Sequence, residues 1–278
     1  MRGLLNLGNT CYVNAAVQAL AHVSALTARL LYPRPYDGEC QLTAAYARLL
    51  SELYPQGRQG QGSEGPVDPT EFVDALRARY PQFANAEVEG IDFAENGQHD
   101  AVEVMLVMIR TLEQSLGEEF IANIFVGKMR QTTSAPGVSS TITDPFGFLP
   151  LDVNEPATLA ELVAEYLAPH TVEGFRNSEG ECVRARTVLE VVEWPRTVVF
   201  TFNVFSYHFL VTLPLEFEGR RLVAVVLQHG SASSGHYGAA VRVKDQWWLK
   251  NDSSCEMFES NTAGCLVAKA YAAVYRGK

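Results

Sequence analysis

Cysteine is scarce and scattered in this chain. Five cysteines stand at positions 11, 40, 182, 255 and 265, an odd number with no Cys-x-x-Cys pair. That argues against the disulfide framework of a secreted domain and gives no spacing for a four-ligand zinc site. Long apolar runs are absent too. No segment approaches the roughly 18 apolar residues of a membrane span, and the region where a secretory leader would lie is interrupted by Asn6, Asn9, Asn14 and Gln18. Positive charge is in deficit, with 22 Lys and Arg against 32 Asp and Glu and a formal net charge of -10. Such a field repels nucleic acid and suits a partner with a basic tail. No internal repeat is evident. These absences predict an intracellular protein in a reducing compartment, without membrane anchor, nucleic-acid partner, metal or cofactor. Were the chain secreted, Asn251-Asp252-Ser253 would be a glycosylation acceptor.

What is present suffices for a substantial core. The chain has 278 residues, 47% of them hydrophobic and 19% charged, a size compatible with one domain or two. Apolar periodicity predicts helices near 11–31, 40–53, 69–79 and 98–116, with Asp68-Pro69 opening the third. Ala16, Leu20, Val23, Leu26 and Leu30 recur three or four residues apart as one buried face. The Gly-, Gln- and Ser-rich stretch from Pro55 to Pro66 reads as a loop. From Phe120 the pattern changes to β-branched and aromatic residues, predicting strands at Ile121–Val126, Thr197–Val204, Leu222–Leu227 and Ala239–Val243, with a helix at Leu159–Leu167 between them. Helices first and strands later make an α+β class, helices packed on a mostly antiparallel sheet.

Chemistry concentrates at two places. Gly3-Leu4-Leu5-Asn6-Leu7-Gly8-Asn9-Thr10-Cys11-Tyr12-Val13-Asn14 sets a cysteine at a predicted helix start, with Asn9 or Thr10 as cap and Gly8 allowing the turn before it. A thiol attacks a carbonyl as thiolate, a form favoured by a helix N-terminus or a histidine partner. The plainer alternative is that Cys11 is a small buried apolar residue. Far downstream, Gly235-His236-Tyr237 opens a predicted strand that turns at Lys244-Asp245-Gln246 and returns through Trp247-Trp248-Leu249. Asn251 would then lie beside His236 at the open end of the hairpin, a workable base and orienting group.

The chain resembles the ubiquitin-specific proteases, the papain-like class of deubiquitinases. Gly3 to Gln18 is similar to that family's cysteine box. Gln98 to Glu103 is similar to the short motif that follows. Gln228-His229-Gly230, Gly235-His236-Tyr237 and Trp248 to Asp252 resemble the histidine box, and Ala270-Tyr271 to Tyr275-Arg276 the closing strand. The resemblance implies one catalytic domain over 1–278, a papain-like fold with a helical thumb over about 1–117 and an antiparallel-sheet palm and fingers over about 118–278. It implies hydrolysis of the bond after the C-terminal glycine of ubiquitin. Cys11 would be the nucleophile, His236 the base and acid, Asn6 an oxyanion donor with the Cys11 amide, and Asn251 the orienting group. Asp252 is the neighbouring alternative for that last role, and a carboxylate there would favour the imidazolium more strongly.

For substrate contact the resemblance points to Gln98, Asp100, Glu103, His229, Gly235 and Tyr237. Asp100 and Glu103 are three apart on the helix beginning near Gln98, so both carboxylates would share a face suited to arginines of the ubiquitin tail. Alternatively they complement the helix dipole. Glu87, Glu89, Asp92 and Glu95 add acidity nearby. His229 either lines the tail channel or is a hydrogen-bonded structural histidine. Ser231 to Gly235 reads as a small polar loop over the cleft, and Phe202 to Phe209 resembles the region before the family's other blocking loop, with Phe202 and Phe205 read as core. Many members of the family carry two Cys-x-x-Cys zinc pairs in their fingers. Here only Cys182 stands near such a position, so the fingers are expected to be reduced and zinc-free. Only Met1-Arg2 precedes the cysteine box, so accessory targeting domains are expected to be absent. The expected partner is ubiquitin or ubiquitinated proteins. The alternatives are another ubiquitin-like modifier with a Gly-Gly end, an inactive ubiquitin-binding scaffold, or an acyl transferase.

Overall fold

The computed structural model describes residues 1–33, 35–54, 65–84, 99–203, 209–230, 235–259 and 264–277. Helices come first: α1 (Cys11–Leu20), α2 (Ser24–Leu31), α3 (Gln41–Leu53), α4 (Thr70–Arg79), α5 (Ala101–Leu116) and α6 (Glu118–Phe125). The strands begin with β1 (Gly127–Ala135), β2 (Val138–Phe146), β3 (Phe148–Asp152) and β4 (Ala157–Thr158), followed by α7 (Leu159–Tyr166). Then come β5 (His170–Arg176), β6 (Cys182–Glu193), β7 (Thr197–Asn203), β8 (Val211–Pro214), β9 (Glu216–Phe217) and β10 (Arg220–Gly230). The chain closes with β11 (Gly235–Val243), β12 (Gln246–Asn251), β13 (Ser254–Phe258), β14 (Cys265–Ala268) and β15 (Ala270–Arg276).

The large sheet runs β13-β12-β11-β10-β15-β7-β3, with β9 paired to β10, and only its β3–β7 pair is parallel. Both faces are covered, which is why β10 and β15 read as nearly continuous apolar runs rather than alternating ones. One face carries Val199, Ala224, Val226, Ala239, Val241, Ala272 and Val274 against the helices. The other carries Val198, Phe200, Val225, Ala240, Ala273 and Tyr275, packed with Leu159, Leu162 and Val163 of α7 and with the three-stranded sheet β14-β8-β4. Alanines beneath α1 leave room for close approach, and α1 packs across β10, β11 and β12. All ten of its residues are buried. The class is α+β as expected, with helices set against a mostly antiparallel sheet. Among the described residues no helix is long and apolar enough to cross a membrane.

Three expectations are corrected. The stretch 11–31 is two helices, because the His22 imidazole Nδ1 takes the Gln18 carbonyl at 2.8 Å. That displaces the usual backbone partner, and the His22 and Val23 amides shift to the tighter Ala19 and Leu20 carbonyls. Ile121 to Phe125 is helix rather than strand. Gly117, at φ 101°, ends α5 and starts α6, Glu118 and Glu119 complement its N-terminus, and Ile121, Ile124 and Phe125 are buried at helical spacing. The helix expected from Gln98 begins at Ala101, with Asp100 as its cap.

The segment between α6 and β7 holds a four-stranded antiparallel sheet, β2-β1-β6-β5, that alternation did not predict. Its strands are largely polar, with Gln131-Thr132-Thr133-Ser134 facing Ser139 to Ile142 across a hairpin closed at Gly137, whose φ is 78°. Exposed ion pairs Lys128–Glu193 and Arg130–Glu190 and a buried Thr133–Thr187 hydroxyl bond join β1 to β6. Cys182 opens β6 at the surface. Among the described residues no cluster of His, Cys, Asp or Glu could hold a metal ion.

Candidate active site

The N-terminal segment is clamped between two distant parts of the chain. Leu4 N–H donates to the Asp252 carbonyl at 2.8 Å, while Leu5 N–H and Gly3 C=O pair with Val67. Gly3 permits this approach: a Cβ there would lie 2.3 Å from the Asp252 carbonyl oxygen. Buried Lys250 Nζ donates to the Arg2 carbonyl at 2.8 Å, and Gln18 Nε2 reaches the same oxygen at 3.3 Å. Burial holds the Lys250 ammonium below the ordinary lysine range.

From this anchored segment the chain turns into α1. Gly8 and Asn9 both take positive φ, 88° and 53°, which glycine and asparagine tolerate best. Thr10 holds the N-cap position, but its hydroxyl accepts from Leu7 N–H rather than capping the helix. Cys11 follows as the first residue of α1, 4% exposed. The helix's first turn carries partial positive charge at that point. Burial, followed by the nearby Asp100 carboxylate, pushes the Tyr237 hydroxyl up.

Opposite α1, β11 and β12 form the expected hairpin, closed at Lys244-Asp245 with Val243 paired to Gln246. Its register pairs Ala239 with Lys250, which sets Asn251 diagonally across from His236 on one face. His236 Nε2 meets Asn251 Oδ1 at 2.5 Å. With that oxygen accepting, Nε2 carries the proton and Nδ1 is left as the basic nitrogen. His229 lies directly opposite His236 in the β10–β11 ladder, and Gly230 opposite Gly235. Tyr237, on the other face, receives Gln228 Nε2 at 3.2 Å and meets the Tyr271 ring edge-on.

Asp252 turns away from His236 and serves the other half of the site. Its Oδ2 receives Asn6 Nδ2 at 2.8 Å and its Oδ1 receives Asn14 Nδ2 at 2.8 Å. The Asn6 amide is fixed by its other end as well. Oδ1 accepts the Gly8 and Thr10 backbone amides at 3.0 and 3.1 Å, groups that can only donate, so Nδ2 must face the carboxylate. One N–H of Nδ2 is thereby committed to Asp252, and the amide nitrogen carries a second.

Asp100 differs most from its expected role. It caps α5, Oδ1 accepting Val102 N–H at 2.6 Å and Glu103 N–H at 3.4 Å, while Oδ2 receives the Tyr271 hydroxyl. It therefore does not project beside Glu103 as a second free helical carboxylate. Glu103 is half-buried near His99 and Tyr12. His99 packs edge-on against Tyr12 and Phe83, and its desolvation lowers its pKa, partly offset by Glu103. Gln98, Glu87, Glu89, Asp92, Glu95, Phe205 and the loop residues 231–234 and 55–64 lie outside the described residues. Phe202 is core, as expected. Asn14 and Tyr271 lay inside recognised motifs without an assigned task. The signal for Asn14 is its place one turn after the cysteine.

The family model described as "Ubiquitin carboxyl-terminal hydrolase" matches residues 2–216, ending before the hairpin of His236 and Asn251. The chain is 34% identical over 130 residues to "Ubiquitin carboxyl-terminal hydrolase 6" of Schizosaccharomyces pombe, covering 47% of this chain and 25% of that protein. It is 24% identical over 322 residues to "Ubiquitin carboxyl-terminal hydrolase 2" of Rattus norvegicus, covering 94% of this chain and 52% of that one. The chain thus spans about a quarter to a half of these relatives. The solved "Structure of the SAGA Ubp8/Sgf11/Sus1/Sgf73 DUB module bound to ubiquitin aldehyde" aligns with all of this chain and 70% of its own, with a TM-score of 0.77 at 18% identity. That likeness establishes the fold.

Proposed function

The chain belongs to the ubiquitin carboxyl-terminal hydrolase family, and on that premise we propose that it is a thiol-dependent deubiquitinase, cleaving the peptide or isopeptide bond after the C-terminal glycine of ubiquitin. The observation that carries this reading is the His236 Nε2 to Asn251 Oδ1 bond on the strand pair crossed by the helix that Cys11 opens. It leaves Nδ1 as the base for a thiol.

In this reading Nδ1 takes the Cys11 proton and the thiolate attacks the glycine carbonyl. The tetrahedral oxyanion is met by the Cys11 N–H and the second N–H of Asn6 Nδ2. The imidazolium returns its proton to the departing lysine amine, leaving a thioester on Cys11. Water, deprotonated by the same nitrogen, hydrolyses the thioester and regenerates the thiol. Glu103 reads the basic ubiquitin tail, while Asp100, committed to the α5 cap and the Tyr271 hydroxyl, fixes the helix start that presents it. Residues 1–117 serve as thumb and 118–278 as palm and fingers of one catalytic domain. The free thiol chemistry fits an intracellular, reducing location.

The test is covalent capture by ubiquitin carrying an electrophilic C-terminus, comparing the chain with Cys11→Ala and running other modifiers in parallel. An adduct with ubiquitin that disappears in Cys11→Ala supports the reading. Capture of another modifier alone moves the specificity, and capture of none makes the chain a binding scaffold.

A further inference from the structure

Asn14 is an orphan in an unusual sense. It is 3% exposed, its Nδ2 donates to the Asp252 carboxylate at 2.8 Å and to the Leu5 carbonyl at 3.2 Å, yet its own Oδ1 is buried without a partner among the described residues. Leaving a buried acceptor unpaired costs on the order of 1 to 3 kcal/mol. An apolar side chain would remove that penalty, but it would also strip the Asp252 carboxylate and the Leu5 carbonyl of their Asn14 donor. Its two donated bonds are what the position retains, and they reach the N-terminal segment and the turn that hold Asn6.

We propose that Asn14 is a positioning residue for the oxyanion donor. It acts through Asp252, as one arm of an amide–carboxylate–amide bridge whose other arm is the Asn6 side chain. Asp252 would otherwise rotate about its Cα–Cβ bond, since a carboxylate held through one oxygen swings freely about that contact. Bound at both oxygens, it presents Oδ2 to Asn6 in one orientation. The Asn6 amide, gripped at its oxygen by Gly8 and Thr10 and at its nitrogen by Asp252, aims its second N–H in one direction. Donors aimed before the reaction need no reorganisation during it. This inference rests on the proposed hydrolysis, since it assigns Asn14 to that reaction.

The experiment compares wild type, Asn14→Ala, Asn6→Ala and the double variant in hydrolysis of a ubiquitin fluorogenic ester or amide, together with alkylation of Cys11 by iodoacetamide. Alkylation displaces iodide and develops no carbonyl oxyanion. The expected result for Asn14→Ala is kcat down about 10- to 100-fold, less than loss of the donor itself, KM within about twofold, and an unchanged alkylation rate. The double variant should fall no further than Asn6→Ala, because the two act as one unit. A second variant guards against a simple folding defect. Asn14→Asp places two carboxylates together, so its activity relative to Asn14→Ala should rise as pH falls and a shared proton rebuilds the bridge. An unchanged kcat in Asn14→Ala, an equal loss in alkylation, or additivity with Asn6→Ala overturns the inference while leaving the hydrolase reading intact. A wild type that hydrolyses nothing overturns both.

Discussion

Tyr271, on β15, donates its hydroxyl to the same Asp100 carboxylate that caps α5, a contact spanning 171 positions. One side chain thereby ties a strand of the large sheet to the first turn of a helix on its face. Burial, followed by its bond to Asp100, pushes the Tyr271 hydroxyl well above the usual tyrosine range, so it remains a donor. Tyr271→Phe should lower stability by roughly 1.5 to 3 kcal/mol, the range for bonds to charged groups. It should raise KM for ubiquitin conjugates more than it lowers kcat. Urea unfolding and Michaelis kinetics read the two effects separately.

Asn251→Ala makes a contrasting case to the amide bridge. Without its acceptor the imidazole loses both tautomer and orientation, and kcat is expected to drop on the order of 100-fold or more. Here iodoacetamide labelling of Cys11 should slow as well, because the base itself is affected. Equal labelling rates in variant and wild type would count against the assignment.

Gly3→Ala would drive a methyl group into backbone, with the Asp252 oxygen at 2.3 Å and the Ser253 carbonyl carbon at 2.6 Å. Neither is a flexible side chain, so the N-terminal segment or the turn must move. A loss of about 1 to 3 kcal/mol is expected, together with a fall in kcat as the Asn6–Asp252 contact opens. Thermal unfolding and turnover should therefore decline together.

His22 gives a pH dependence of stability. Burial lowers its pKa from the ordinary histidine value to about 4, so the folded chain binds its proton less readily than the unfolded chain. Between about pH 6.5 and about pH 4 the unfolded state holds more protons, and stability rises with pH across that window. Lowering pH from about 7 to about 5 should remove about 2 kcal/mol through this residue. The stability lost between the two pH values, read by denaturant titration, should be larger in wild type than in His22→Asn by that amount.

Much of the site was legible because its parts obey local rules. A β-branched run after Gly235-His236 reads as a strand wherever it lies, and Asn251 follows from the hairpin's register. Cys11 at a helix start follows from the glycine and asparagines before it. The four-stranded sheet was hidden because Thr132, Ser139 and Thr141 carry no apolar alternation, both faces being widely exposed. Helix α6 was misread because Ile121, Ile124 and Phe125 are as common in strands, and only Gly117 and the paired glutamates mark its start. The break at His22 depends on a side chain replacing a backbone donor, which no periodicity records. Asp252 was the alternative to Asn251 by adjacency alone; the turn at its φ of 48° carries its carboxylate to Asn6 and Asn14 instead.

The bonds from Asn6 and Asn14 to Asp252 join residues 246 and 238 positions apart. Contacts of such separation form late, since the intervening chain must be collapsed before they can close. During synthesis Asn6 and Asn14 leave the ribosome well before Asp252 does. A growing chain therefore carries the Asn6 and Asn14 amides with no carboxylate to join them, and the bridge closes only after β12 has docked.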